Sequence, residues 1–172
     1  MKQGTLHLPE LLGEEASLLN TFHNECHSAA HTLLSCLADM LTLPLEDYHQ
    51  DGEPSETGFK LVAEPSLERA SEVQENKHTD SGTLTILFYD KWGLQICLPT
   101  PENEWVFIPP PQPGCALVHG GNSLQRLSNY QLQSPLHRVT QPQDGAAERY
   151  FLSYFLRPAK TVARHGVGDL PD

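Results

Sequence analysis

The sequence predicts a mainly β domain of sandwich or jelly-roll class, with one long α-helix flanking it. Three observations predict this. From Leu84 onward, short apolar runs alternate with separators rich in Gly, Pro, Asn and Asp, the pattern of many short strands joined by turns. Before them, residues Leu11 to Leu43 carry apolar side chains near the helical period. The chain has 172 residues, the size of one domain able to bury its own core.

The helix rests on Leu18, Leu19, Phe22, Cys26, Ala29, Ala30, Leu33, Leu34, Leu37 and Leu41, and Pro44 ends it. His23, His27 and His31 lie four apart and share one stripe of it. No acid joins them in a zincin-like pattern, so they read as ordinary residues of a helix face. Asp51 to Thr57, with Gly52 and Pro54, reads as a loop and Phe59 to Ala63 as a strand. Glu64-Pro65 then opens a polar connection through Asn76 that carries Glu68, Glu72 and Glu75, expected to be a solvated loop leading to His78.

The later strands are expected at Leu84 to Tyr89, Leu94 to Leu98, Glu104 to Ile108, Ala116 to His119, Leu136 to Thr140 and Tyr150 to Leu156. No internal repeat is visible. The expected organisation is one domain over 1–157, with the helix at about 13–43 and the β region at about 58–157, followed by a fraying tail at 158–172.

Composition narrows the function classes. With 22 acidic against 11 basic side chains, the chain is an unfavourable partner for nucleic acid or an anionic membrane. No stretch is long and apolar enough to span a bilayer. Met1-Lys2-Gln3-Gly4 lacks the apolar run of a signal peptide, so a cytoplasmic location is expected. Cys26, Cys36, Cys97 and Cys115 show no CxxC pairing and read as reduced core thiols.

Chemistry concentrates at His78-Thr79-Asp80 and at His137. Residues two apart on a strand point to one side, so His78 and Asp80 can reach the same metal while Thr79 turns away. A second His from another strand completes a 2-His-1-carboxylate facial triad, the donor set that holds non-heme Fe(II) and leaves positions open.

The surrounding residues carry a resemblance. His78-Thr79-Asp80, Leu84-Thr85-Ile86-Leu87, Gly93-Leu94-Gln95-Ile96, Trp105-Val106, Gly121-Asn122 with Leu127-Ser128-Asn129, Ser134 to Val139, and Arg149 follow one another in order. In this the chain resembles the 2-oxoglutarate and Fe(II)-dependent oxygenase superfamily, in the branch that includes isopenicillin N synthase. The resemblance implies a double-stranded β-helix, or cupin-like jelly roll, with the long helix packed outside it. It implies His78, Asp80 and His137 as iron ligands and Arg149 as the base for the distal carboxylate of 2-oxoglutarate, whose two oxygens suit the guanidinium fork. It also implies O2 and a small organic molecule as substrates, with secondary metabolism as a setting.

Several positions depart from the family pattern. Phe151 stands two residues after Arg149, where relatives that bind 2-oxoglutarate commonly have Ser. Val62 and Glu64 stand where Asn and Tyr are common, and an inward Glu64 carboxylate would repel a dianionic cosubstrate. Gly121-Asn122 replaces the usual Gly-Asp. The resemblance runs from about Leu18 to Pro158 and covers only the C-terminal part of a typical member. Sheet edges left by the missing N-terminal region favour a homo-oligomer or a partner chain that completes the barrel.

Three functions stay open on this reading. One is a 2-oxoglutarate-dependent Fe(II) oxygenase. Another is an iron-dependent oxidase, cyclase or isomerase that does not use 2-oxoglutarate and grips its substrate's carboxylate with Arg149. The last is a shortened, non-catalytic metal- or partner-binding relative, which the intact triad disfavours because unpaired buried ionisable groups cost stability.

Overall fold

The apolar stripe of the first forty residues folds as two helices, α1 (Glu10–Glu14) and the much longer α2 (Ala16–Leu41), broken at Glu15. The computed structural model describes residues 10–64, 77–140, 146 and 148–160. The connection expected at 65–76, most of the expected tail and the first nine residues lie outside this set. Helix α2 stops before Pro44 because Thr42 turns left-handed, with φ 54°, and returns its N–H to the carbonyls of Ala38 and Asp39. Its buried residues are Cys26, Ala30, Leu34 and Ala38, one every four positions. The buried face is therefore narrower than the sequence pattern suggests, and Leu18 at 63% and Leu33 at 39% exposure flank it in solvent.

Among the described residues seven strands follow: β1 (Gly58–Glu64), β2 (Leu84–Phe88), β3 (Leu94–Cys97), β4 (Trp105–Phe107), β5 (Leu117–Gly120), β6 (His137–Val139) and β7 (Arg149–Leu156). They form two antiparallel sheets, ordered β1-β7-β2-β5 and β4-β3-β6. This is the jelly roll that the sequence predicts. A helix α3 (Asn122–Leu127) and a 3-10 turn at Leu45–Tyr48 were not anticipated.

The larger sheet uses its two faces differently. Leu84 and Ile86 of β2 and Tyr154 and Leu156 of β7 pack with α2 and Leu45 in the main core. Full burial of a side chain such as Leu34 or Leu156 stabilises the fold by about 1.5–3 kcal/mol. The alternate residues, Thr85 and Leu87 of β2 and Phe151, Ser153 and Phe155 of β7, face a cavity on the other side. Period-two alternation thus divides each strand between holding the helix and lining the cavity.

The thiols are free, but only Cys26 is buried, and Cys36 and Cys115 are exposed rather than in the core. Cys36 sits on the solvent side of α2, two residues beyond buried Leu34 and off the strip that meets the sheet. Among the described residues no helix is long and apolar enough to cross a membrane.

Candidate metal centre

His78 and His137 form a two-residue antiparallel bridge in which each N–H donates to the other's carbonyl at 2.9 Å. Directly opposed residues present their side chains on the same face, and the two imidazoles lie 4.4 Å apart, centroid to centroid. Asp80 enters between them. Its Oδ1 is 3.6 Å from His78 Nε2 and 3.8 Å from His137 Nε2. One donor atom from each residue lies within 4.8 Å of the others, which is close enough for a shared metal ion.

The donors are oriented by what surrounds them. His137 Nδ1 lies 3.1 Å from the Pro135 carbonyl, and an N–H there leaves Nε2 with its lone pair toward Asp80. Burial pushes His137 below the ordinary imidazole range, which favours the neutral, ligating form. Thr85 donates its hydroxyl to Asp80 Oδ2 at 2.5 Å, leaving Oδ1 for the two histidines.

The Asp80 backbone is held by the start of α3. The N–H groups of Gly121, Asn122 and Ser123 donate to the carbonyls of Thr83, Asp80 and Gly82 at 3.0, 2.7 and 3.0 Å. Only glycine fits at 121, since a Cβ there would stand 2.3 Å from the Gly82 oxygen and 2.8 Å from that of Asp80.

The cavity beside the three donors has a volume of about 170 Å³. Lys60 and Val62 of β1 reach it, as do Phe151 and Ser153 of β7, His119 of β5, and Leu94. Phe151 faces Val62 across the β1–β7 register, so these two replacements form one apolar wall. Arg149 is fully buried and is not among the residues lining this cavity. Its Nε donates to the Trp92 carbonyl at 2.7 Å. Glu64 pairs with Arg149 in the strand register, and its side chain lies outside the described residues.

Four polar or charged residues of the site escaped the sequence reading. His119 places Nε2 3.4 Å from Asp80 Oδ2, and its ring is 5.0 Å from that of His137. Thr85, Lys60 and Ser153 complete the set. The parity of β2, β5 and β7 relative to Asp80 would have found Thr85, His119 and Ser153, but it requires the strand pairing, which no short motif encodes.

Comparison with known proteins gives a consistent family. Residues 48–158 match the model described as the 2OG-Fe(II) oxygenase superfamily. The chain is 37% identical over 166 residues to the 2-oxoglutarate-dependent dioxygenase FG08081 of Gibberella zeae, covering 92% of this chain and 49% of that one. It is 35% identical over 158 residues to the 2-oxoglutarate-dependent dioxygenase iboH of Amanita muscaria, covering 88% of this chain and 76% of that one. The chain thus spans about half the length of the first and three quarters of the second.

Among solved structures, the fold resembles T7H of Neurospora crassa, crystallised with alpha-KG and thymine, with a TM-score of 0.70 and 24% identity over 89% of this chain and 48% of that one. A 2OG-Fe(II) oxygenase family protein from Caulobacter crescentus superimposes with a TM-score of 0.74 at 24% identity, over 92% of this chain and 52% of that one.

Proposed function

For a chain that belongs to the 2OG-Fe(II) oxygenase superfamily, we infer that His78, Asp80 and His137 hold Fe(II) in a 2-oxoglutarate-dependent oxygenase acting on a small organic molecule. The observation that carries this reading is the convergence of two imidazole nitrogens and one carboxylate oxygen beside a partly apolar cavity. This donor set fits Fe(II), because three ligands on one side leave the remaining positions to O2 and organic ligands. The same reading treats 1–157 as one oxygenase domain with a tail at 158–172, in a cytoplasmic setting.

When bound, Fe(II) supplies O2 activation, and 2-oxoglutarate supplies electrons as it is converted to succinate and CO2. The protein's residues position and exclude. Asp80, fixed by Thr85, contributes the one negative ligand, while the Pro135 carbonyl holds His137 in its ligating tautomer. Leu87, Leu94, Val139 and Phe151 keep the space beside the donors apolar. Lys60 is the cationic side chain on the cavity, and Arg149 lies on the same face of β7 as Phe151 and Ser153. Lys60 and the Ser153 hydroxyl are the cavity-lining groups that would hold the cosubstrate's carboxylates, and buried Arg149 would join them through a shift that brings its guanidinium into the cavity.

A second reading keeps the iron and omits 2-oxoglutarate. It is favoured by Phe151, which fills space beside Val62, and by the commitment of Arg149 Nε to a backbone carbonyl. Supplying Fe(II), O2 and 2-oxoglutarate and following succinate separates the two. Succinate formation that disappears in His137→Ala supports the first. Iron binding with no succinate, even with candidate substrates present, supports the second.

Among the described residues β1 is one edge of its sheet, and Leu61 on it is 55% exposed. This edge suits a second copy or a partner chain that extends the sheet. Light scattering tests that part of the proposal, and a strictly monomeric mass with no partner bound contradicts it.

A further inference from the structure

The histidine stripe of α2 meets an acid that the sequence order conceals. His27 and His31, one turn apart, hold their rings 4.3 Å apart, centroid to centroid, tilted by 54°. The segment after the 3-10 turn folds back over them and brings Asp51 Oδ1 to 2.9 Å from His27 Nε2. One donor atom from each of His27, His31 and Asp51 lies within 4.8 Å of the others, at a cavity of about 210 Å³.

Two details distinguish this cluster from a surface ion pair. His31 Nε2 is buried and has no hydrogen-bond partner among the described residues, an arrangement that costs stability unless something occupies the position. His27 has its second nitrogen anchored, with Nδ1 2.6 Å from the hydroxyl of fully buried Tyr154. A ligating imidazole commonly has such an outer partner, which fixes its orientation. The nearby His49 differs. Its Nδ1 lies 2.8 Å from the Leu45 carbonyl and its Nε2 2.6 Å from the Thr83 hydroxyl, so both nitrogens are occupied within the fold.

We propose that His27, His31 and Asp51 form a second metal site, taking a zinc-class divalent ion between α2 and the segment after the 3-10 turn. Two imidazoles and a carboxylate suit Zn(II) or a similar transition ion and leave a position for water, whereas Ca(II) and Mg(II) require oxygen ligands. In the metal-free form the His27 Nε2–H donates to Asp51. On binding, the ring takes its other tautomer: the proton leaves Nε2, which ligates, and one from solvent joins Nδ1, whose N–H donates to the Tyr154 oxygen. The bound ion would tie the loop at Asp51 to α2 and, through Tyr154, to β7. The site shares no residue with the His78, Asp80 and His137 centre, so it does not depend on how that centre is read.

The test uses the full chain stripped with chelator and titrated with Zn(II), in His137→Ala so that the other centre is disabled. One bound equivalent is expected, lost in His137→Ala combined with His31→Gln or with Asp51→Asn. The latter is a mild change, because the Asp51 side chain is 83% exposed. Tyr154→Phe should weaken binding by about 10–100-fold. In the wild-type chain, whose folding is not in question, Co(II) should shift or broaden the imidazole NMR signals of both His27 and His31. No Zn(II) bound in His137→Ala, an equivalent that survives both double variants, or His27 and His31 signals unmoved by Co(II) would each overturn the proposal.

Discussion

His78 and His137 are held directly opposite each other by their own backbones. Each accepts the other's N–H at 2.9 Å, and no side chain is needed to bring them together. The backbone pairing is therefore separable from the imidazoles themselves. His137→Ala should keep the fold, with an unchanged far-ultraviolet spectrum, and reduce bound iron to background by metal analysis. Iron content equal to that of the wild type would remove His137 from the ligand set.

The outer oxygen of Asp80 depends on the Thr85 hydroxyl. Thr85→Val keeps the shape and deletes the donor, and should lower Fe(II) affinity about 10–100-fold while the structure persists. Equilibrium dialysis against a competing chelator measures this, and unchanged affinity would show that Thr85 does not orient the carboxylate.

Gly121 lies where α3 grips the Asp80 segment, with no room for a methyl group. Gly121→Ala must push these backbones apart, at a cost of about 1–3 kcal/mol, and displace Asp80. Thermal melting should fall and metal affinity with it. A variant as stable as the wild type would contradict the close approach.

His49 is buried with both nitrogens occupied, and burial pushes its pKa down to about 4, so the ring is neutral near pH 7. Thr83→Val strands Nε2 and should cost about 1–3 kcal/mol in denaturant unfolding. Because Thr83 and His49 lie outside the cavity lining, iron content should not change.

Phe151→Ser places a hydroxyl two residues after Arg149 and opens the apolar wall shared with Val62. The loss of a buried ring should destabilise the protein by about 3–5 kcal/mol, the range for large-to-small aromatic changes. If Phe151 restricts the cosubstrate, 2-oxoglutarate should bind more tightly in the folded variant. Weaker binding would assign Phe151 a supporting role.

The sequence made the strands and the three donors legible because each has a local signal: apolar runs between turn residues, and a His two positions from an Asp. The width of the buried face of α2 was misjudged, because Leu18 and Leu33 are as apolar as Leu34 but lie off the narrow strip that meets β2 and β7. His119, Thr85 and Lys60 were missed because their role arises only from register between strands distant in sequence. Asp51 was missed for the same reason. It follows α2 by a turn and a 3-10 segment, and only folding places it over His27. Arg149 was legible as a functional candidate, but its burial and its bond to the Trp92 carbonyl depend on tertiary packing.

The central claim is that this domain binds Fe(II) at His78, Asp80 and His137 and uses 2-oxoglutarate there. Its most direct test is an anaerobic Fe(II) titration of the full chain followed by 2-oxoglutarate, monitored for the weak visible charge-transfer band of a chelated keto acid. The band should appear in the wild type and be absent in His137→Ala. Iron that binds in the wild type without producing the band would contradict the use of 2-oxoglutarate, and a band that persists in His137→Ala would contradict the ligand set.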